Sequence, residues 1–451
     1  MRAEQRQALD NILVQMRAGR MKRRTFLENA LALGLTSSVA QSLLAACGGG
    51  SNSSGGNGAA INVVWQGEHD LTGIYQQLVN TFNQTNKDGI HVTFINGPTD
   101  TGQLHSVFLD MLRSQSNAID IISMDIIWPA EFALNQWTVP LDAKWPVSER
   151  SQYLQGPIQG CTFGGKLWAA PLRTDAGLLY YRTDLISQPP QTWSELRRIA
   201  GQLQAKGAIK YGYVWQGAQY EGLVCDFLEV LYGYGGTVLD PGNPRKVMIN
   251  SPEAQEALTT MVGWINTISP DITVTFKEDD SRSLWQQGEA AFMRNWPIAY
   301  SLSNRPQTSK IVGKMGVHPT LFDGKNTIGH AVIGGWQLGI NAFSLPHKVD
   351  AAWKFIHYML GQEVQKALAR DASIAATLKS VYTDHEVLAK NPLFKVLGEV
   401  LQTALPRPVT PNYADLSTAI QLRVHQALTK QSKPAEALAV LQSDLQTIVT
   451  S

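Results

Sequence analysis

The sequence predicts an α/β fold with two lobes, and three observations carry that prediction. The 451-residue chain exceeds the ~250–300 residues at which a single hydrophobic core stops growing, so two domain-sized cores are expected. From Ile61 onward, short β-type runs alternate with segments of helical periodicity, the pattern of lobes built on largely parallel sheets. No internal repeat and no second low-complexity stretch interrupts residues 61–451, which read as one compact, two-lobed body.

The elements follow in order. The runs INVVW (61–65), IHVTFI (90–95) and IDIIS (119–123) carry the β-branched and apolar residues of strands. Between them, LTGIYQQLVNTF and TGQLHSVFLDMLRSQ space apolar residues at helical intervals, the second opened by a cap at Thr99 or Asp100. In such strand-helix-strand units, ligand groups sit in loops at the C-terminal strand ends. Here those loops are 67–70, 96–100 and 124–128. KLWAAPL and AGLLYYR read as further strands, and TWSELRRIAGQLQAK as an amphipathic helix capped by Thr192 or Ser194. The C-terminal portion is mostly helical, with caps or breaks near Pro346, Asn391 and Pro411.

Composition removes several function classes. Lys plus Arg total 38 against 37 Asp plus Glu, a net charge of +1 that supplies no field for gripping a phosphate backbone, so nucleic acid is not an expected partner. The 12 Trp are flat apolar faces suited to a cleft for hydrophilic cargo or to a core, and composition does not choose. Cys47, Cys161 and Cys225 form no CxxC pair; Cys161 and Cys225 fit either a bridge or two buried thiols. There is no GxSxG elbow, no HExxH and no clustered His/Cys set, so neither catalysis nor a metal or other cofactor is expected. GCTFGGK (160–166) has P-loop spacing, but Leu167 stands where magnesium binding needs Ser or Thr, and the segment reads as a glycine turn. Glu278, Asp279 and Asp280 read as a solvated helix start. A glycosidase needs two carboxylates flanking a sugar, and Asp70, Asp125 and Asp175 all lie in candidate cleft loops, which keeps hydrolysis as an alternative.

The first sixty residues have a separate logic. Met21 begins a run in which Lys22, Arg23 and Arg24 precede a weakly apolar stretch (30–46) too short and too rich in Gly, Ser and Thr for a membrane span. Arg23 and Arg24, followed by Thr25, Phe26 and Leu27, resemble a twin-arginine export signal; Leu44, Ala45, Ala46 and Cys47 resemble a lipobox, in which the cysteine is acylated and becomes the mature N-terminus. Residues 1–46 are thus expected to be an N-terminal extension and lipoprotein signal peptide, and 47–60 a Gly/Ser tether holding the chain to the outer face of the cell membrane. Translation from Met1 and from Met21 both remain open.

Six ordered segments carry a resemblance: SMDIIW (123–128), TDAGLLYYRTDL (174–185), GYVWQGAQYEGLVCDFLE (212–229), MRNWPIAY (293–300), IGGWQLGI (333–340) and PRPVTP (406–411). Over nearly the whole span from Ile61, the chain resembles the extracellular solute-binding proteins of carbohydrate ABC importers, and among them the trehalose/maltose-binding type. The resemblance implies a periplasmic-binding-protein-like fold, with two α/β lobes joined by crossover hinge strands and the ligand cleft between them. It divides the chain into a first lobe of 61–176 and 317–362 and a second of 177–316 and 363–451. It implies a monomer that captures a disaccharide such as trehalose or maltose and hands it to membrane permeases, contacting the membrane through its lipid anchor.

A sugar presents neutral hydroxyls and apolar C–H faces, so its site needs charged acceptors and flat aromatics. The resemblance assigns first-lobe acceptance to Asp125, a second carboxylate to Asp175, stacking faces to Trp296 and Trp336, close backbone approach to Gly335, and a second-lobe donor to Arg407. A tryptophan taken alone is more often core than cleft; motif context is what assigns these two. Arg173 stands where the family carries a tyrosine, and Leu104 or His105 where it carries an arginine. For the family's glutamate after the first strand, Asp70 is the nearer counterpart and Glu68 the other. Arg173 could favour an anion, so another sugar or a glycerol-phosphate ester is a further alternative.

Overall fold

The computed structural model describes residues 60–450 together with Thr25. The export motif at Arg23 and Arg24, the lipidation site Cys47 and tether residues 48–59 lie outside the described residues. Among the described residues, no helix is long and apolar enough to cross a membrane.

Two sheets organise the chain. The first contains β1 (Ile61–Gln66), β2 (Ile90–Ile95), β3 (Ile121–Asp125), β4 (Ala170–Ala176) and, arriving much later in the chain, β9 (Ile333–Ile340), in the spatial order β2-β1-β3-β9-β4. The second contains β5 (Leu178–Arg182), β6 (Tyr211–Val214), β7 (Ala290–Asn295) and β8 (Met315–His318), in the order β8-β5-β7-β6. Position in the sheet explains the sequence patterns. On edge strand β2, Ile90 and Val92 are buried while His91 and Thr93 are exposed, whereas central strands β3 and β7 are buried at every position.

Parallel pairing, expected to predominate, holds for β1 with β2 and β3 and for β6 with β7. β9 runs antiparallel to both β3 and β4, and β5 antiparallel to β7 and β8. The reversals follow from the crossovers. β4 runs out of the first sheet through the single residue Gly177 into β5, and the chain comes back from β8 to β9. Gly177 cannot be replaced freely, because an added Cβ would stand 1.8 Å from Glu229 Oε1.

Helices α1 (Ile74–Thr85) and α2 (Thr101–Arg113) bury Val79 and Phe82, and Leu104 and Phe108, in the core that also holds Trp65 and Ile122. Of the two cap candidates for α2, Asp100 does the work, its Oδ1 accepting from Gln103 N at 3.0 Å. Thr192 likewise caps α3 (Trp193–Ala205), accepting from Glu195 N at 3.1 Å. A second core gathers Trp193 and Trp215 around α4 (Glu221–Gly233), whose residues 222–233 are all buried, together with Trp264 at the end of α5 (Pro252–Trp264). Five tryptophans, Trp65, Trp145, Trp215, Trp264 and Trp285, are essentially inaccessible and serve the cores. Gly164 and Gly165, at φ +57° and +76°, make the turn between the short strands Thr162–Phe163 and Lys166–Leu167, as the glycine-turn reading expects.

The segment 363–451, expected within one lobe, contributes to both cores. Helix α8 (Gln362–Ala372), which follows α7 (Pro346–Leu360), places Val364, Leu368 and Ala372 on one face in the first core, and Gln365 donates to Leu172 O on β4 at 2.8 Å. Only α10 (Tyr413–Leu428) and α11 (Pro434–Thr450), reached after α9 (Leu393–Thr403), join the second core. Cys161 and Cys225 are free thiols buried in different cores.

Candidate ligand cleft

Strand registry assembles the site. β9 sits between β3 and β4, with Trp336 opposite Asp125 on one side and Arg173 on the other, and Gly334 opposite Asp175. Alternation along β4 sends Arg173 and Asp175 to one face and Thr174 to the other. Gly335, at φ +134°, has its backbone so close to β4 that an added Cβ would lie 2.5 Å from Arg173 O. Asp125, Arg173, Asp175, Gly334, Gly335 and Trp336 line a cavity of about 350 Å³ between the lobes. The second lobe supplies Glu221 at the start of α4, Glu278 at the start of α6 (Glu278–Gln286) and Trp296 just past β7.

Seven of the eight predicted ligand residues converge there: Asp125, Arg173, Asp175, Trp296, Gly335, Trp336 and Arg407. Asp70 does not. Its Oδ1 accepts from Thr72 N, Thr72 Oγ1 and Gly73 N at 3.0, 2.9 and 2.8 Å, and its Oδ2 from Tyr75 N at 2.9 Å. That carboxylate is consumed by the backbone entering α1, and Glu68 is the acid of this loop that lines the cleft. Leu104 is core, and His105 contacts Glu131 and the ring of Trp128; neither lines this cavity.

The charges are arranged as two triads, each an arginine held between two carboxylates. In the first lobe, Arg173 donates from Nε to Glu68 Oε1 at 3.2 Å and from Nη1 to Asp175 Oδ2, and Tyr75 also donates to Glu68 Oε1 at 2.7 Å. Burial opposes the Arg173 charge, but Asp175 and Glu68 more than restore it, lifting its pKa above the usual arginine value. Burial pushes Asp175 up to about 6; Arg173 opposes this, while Glu68 and Asp125 add to it. In the second triad, Arg407 donates from Nη2 to Asp125 Oδ1 at 2.7 Å and from Nη1 to Glu221 Oε1 at 2.8 Å. Tyr413 and Ser417 on α10 complete the coordination of Glu221, each at 2.5 Å.

Within these triads, Glu68 Oε2, Asp175 Oδ1 and Arg407 Nε are buried without a hydrogen-bond partner among the described residues. Unsatisfied buried polar atoms are costly, so their gathering in one cavity marks it as a place built to receive donors and acceptors. The aromatics are poised in the same way. Trp296 and Trp336 stay partly exposed, unlike the core tryptophans. Trp296 rests on the Arg294 guanidinium, 4.0 Å from its ring centroid, and donates to Glu278 Oε1 at 3.1 Å; Trp336 meets Trp128 edge-on at 5.6 Å. Arg294 is itself buried against Glu229, at 2.9 and 2.6 Å, so the platform is fixed from below.

Neither Glu221 nor Glu278 is among the sequence-predicted ligand residues. Glu278 does begin a helix, as expected, but faces the cleft rather than solvent, where Tyr220 donates to it at 2.7 Å. Beside it, Lys277 crosses to Asp100 of the first lobe at 2.5 Å. Burial opposes ionisation of Asp100, but the Lys277 bond and the α2 backbone outweigh it and hold the carboxyl below its ordinary range. A larger cavity, about 820 Å³, is reached by the alternate side chains Ile126, Thr174 and Ile333 and is mostly apolar; of the sequence-predicted site residues, only Arg407 lines it. Among the described residues, no group of three or more His, Cys, Asp or Glu could hold a metal ion.

The family model for bacterial extracellular solute-binding proteins matches residues 68–366. The chain belongs to this family. Such solute-binding proteins are non-catalytic, and the two-sheet architecture is that of the periplasmic-binding-protein fold. A probable ABC transporter-binding protein of Deinococcus radiodurans is 37% identical over 372 residues, covering 80% of this chain and 87% of its own. The maltose-bound structure of T. maritima MalE3 superposes with a TM-score of 0.81 at 38% identity, over 86% of this chain and all of that one. The GacH receptor of Streptomyces glaucescens GLA.O, with a TM-score of 0.77 at 23% identity over 87% and 99%, shows the same fold.

Proposed function

We propose that the protein is the extracytoplasmic, lipid-anchored capture subunit of a carbohydrate ABC importer and that it takes a disaccharide such as maltose or trehalose. One observation carries the reading: two partly exposed tryptophans face a cavity whose acids and arginine retain unpartnered buried polar atoms. Flat apolar faces beside charge-assisted acceptors are what a sugar needs. A volume near 350 Å³ is at the low end of the ~300–1,000 Å³ range of ligand cavities, suited to one or two rings. The relative that shares 38% identity is maltose-bound, which supports the same class of ligand here.

In this reading, Glu68, Asp125 and Asp175 accept hydroxyls, Arg173 and Arg407 donate, and Trp296 and Trp336 stack on the rings, with Glu68 in the role expected of Asp70. Ligand contacts from both lobes favour the closed form, which the permeases recognise. Arg23, Arg24 and Cys47 account for export and anchoring. The ester alternative is disfavoured because Arg173 is already tied to two carboxylates.

The test is titration calorimetry and thermal unfolding of the purified protein with α- and β-linked disaccharides. A ligand bound only by the folded state raises Tm. A panel that produces neither heat nor a shift removes the sugar, and glucose appearing on long incubation would restore the hydrolase.

A further inference from the structure

The charge of the cleft goes beyond what a neutral sugar requires. Among the described residues, seven carboxylates line it against four cations, an excess of three negative charges. Each cation is already engaged with an acid: Arg173 with Glu68 and Asp175, Arg407 with Asp125 and Glu221, Lys277 with Asp100, and Arg282 with Asp279. Two carboxylates of the lining have no cationic partner. Glu278 accepts from Trp296 and Tyr220, and Asp280 from the backbone of Lys277.

Each arginine triad carries one more negative than positive charge. In the first, the two oxygens not bonded to Arg173, Glu68 Oε2 and Asp175 Oδ1, are buried without partners, on residues only 2% and 5% exposed. A hydroxyl offers such a pair one neutral donor. A protonated amine offers up to three donors and the compensating charge, and charge-assisted hydrogen bonds are about twice as strong as neutral ones.

Resting on the sugar reading above, we propose that the cleft prefers a cationic saccharide, one bearing a protonated amine in place of a hydroxyl, with the amine held between Glu68 and Asp175, and that it rejects phosphorylated sugars. A phosphate would meet an acidic lining in which every cation already pairs with a carboxylate and only the Nε groups of Arg282 and Arg407 lack a partner, whereas the amine supplies charge and donors to the two unpartnered carboxylate oxygens.

The experiment is titration calorimetry on the full chain near neutral pH. Its probes are maltose, trehalose, their derivatives with an amine at each hydroxyl position in turn, and the corresponding 6-phosphates. At least one amine derivative is expected to bind about tenfold more tightly than its parent, and each phosphate at least about tenfold more weakly. In Asp175→Asn and Glu68→Gln, the ratio of amine to parent affinity should collapse towards unity; this readout is independent of any general loss of binding. If every amine derivative binds no better than its parent, the cationic preference is overturned and the sugar reading stands. If no member of the panel binds, the sugar reading itself falls, and this proposal with it.

Discussion

Arg407 Nη2 lies 2.7 Å from Asp125 Oδ1, joining the end of the central first-lobe strand to the segment that leads into α10 of the second core. The same guanidinium reaches Glu221 at 2.8 Å, so one side chain spans the cleft and belongs to both of its walls. The proposed ligand contacts and the contact between the lobes thus share residues, so substitutions here should move affinity as well as stability.

Asp125→Ala should weaken sugar binding by about 1.5–3 kcal/mol, the range for a hydrogen bond to a charged group, roughly ten- to a hundredfold or more. Arg407 keeps Glu221 as its partner, so far-ultraviolet circular dichroism should be unchanged. Calorimetric titration checks both, and unaltered affinity would show that the first-lobe contact lies elsewhere.

Glu68 and Asp70 should part company. Asp70→Ala removes four hydrogen bonds at the entrance to α1 and should cost about 0.5–2 kcal/mol of stability, as lost caps do, with affinity largely kept. Glu68→Gln should do the reverse. Paired urea unfolding and titration decide, and an affinity loss confined to Asp70→Ala would reverse the assignment.

Trp296→Ala should reduce affinity by about 1–2 kcal/mol, a factor of about 5–30, through loss of a stacking face. The ring is already partly exposed, so Tm should fall less than for Trp264→Ala, which opens a void in the second core. Differential scanning calorimetry of the two variants makes the comparison.

Asp175 gives the protein a pH signature. Its carboxyl titrates near 6 in the folded chain, raised chiefly by burial and further by Glu68 and Asp125, against the pull of Arg173. Between about pH 4 and 6 the folded state therefore holds the extra proton. Stability falls as pH rises through that window, by up to about 1.4 kcal/mol per unit, and is flat above it. Sugar affinity should run the opposite way, dropping as pH falls below about 6, because only the ionised form accepts a hydroxyl. Both slopes should vanish in Asp175→Asn; their persistence would assign them to another group.

Gly177→Ala should be severe. Its Cβ would stand 1.8 Å from Glu229 Oε1 and 2.6 Å from Arg294 Nη2, and separating a buried ion pair costs about 3–5 kcal/mol. Gly201→Ala, inside α3 with nothing within 4 Å of the new Cβ, should instead stabilise by about 0.5–1 kcal/mol. Chemical denaturation of both variants isolates the crowding from the generic effect of losing a glycine.

Much of this was legible because it is local. The β1 and β2 runs, the Asp100 and Thr192 caps and the Gly164–Gly165 turn depend on neighbouring residues and were readable from them. Asp70 misled because its loop offers two acids, and which one points into the cleft depends on the backbone path; the signal available was Asp-Leu-Thr-Gly, the pattern of an acid that accepts from the following N–H groups. Glu278 reads in sequence as a solvent-facing helix start because its donors, Tyr220 and Trp296, lie on other elements. The reversal of β9 and the sharing of residues 363–451 between cores are properties of the crossovers, which no window along the chain encodes.

The placement of β9 between β3 and β4 also governs how the molecule can be made. Synthesis releases β3 and β4 long before Ile333–Ile340 emerges, and until then both strands offer open edges to any partner. The first lobe is thus not a unit that can mature on the ribosome; its sheet waits for a strand from beyond the second. Chains truncated ahead of residue 333 should accumulate as aggregates rather than as a free-standing lobe, since the strand that would seal those edges has been cut away.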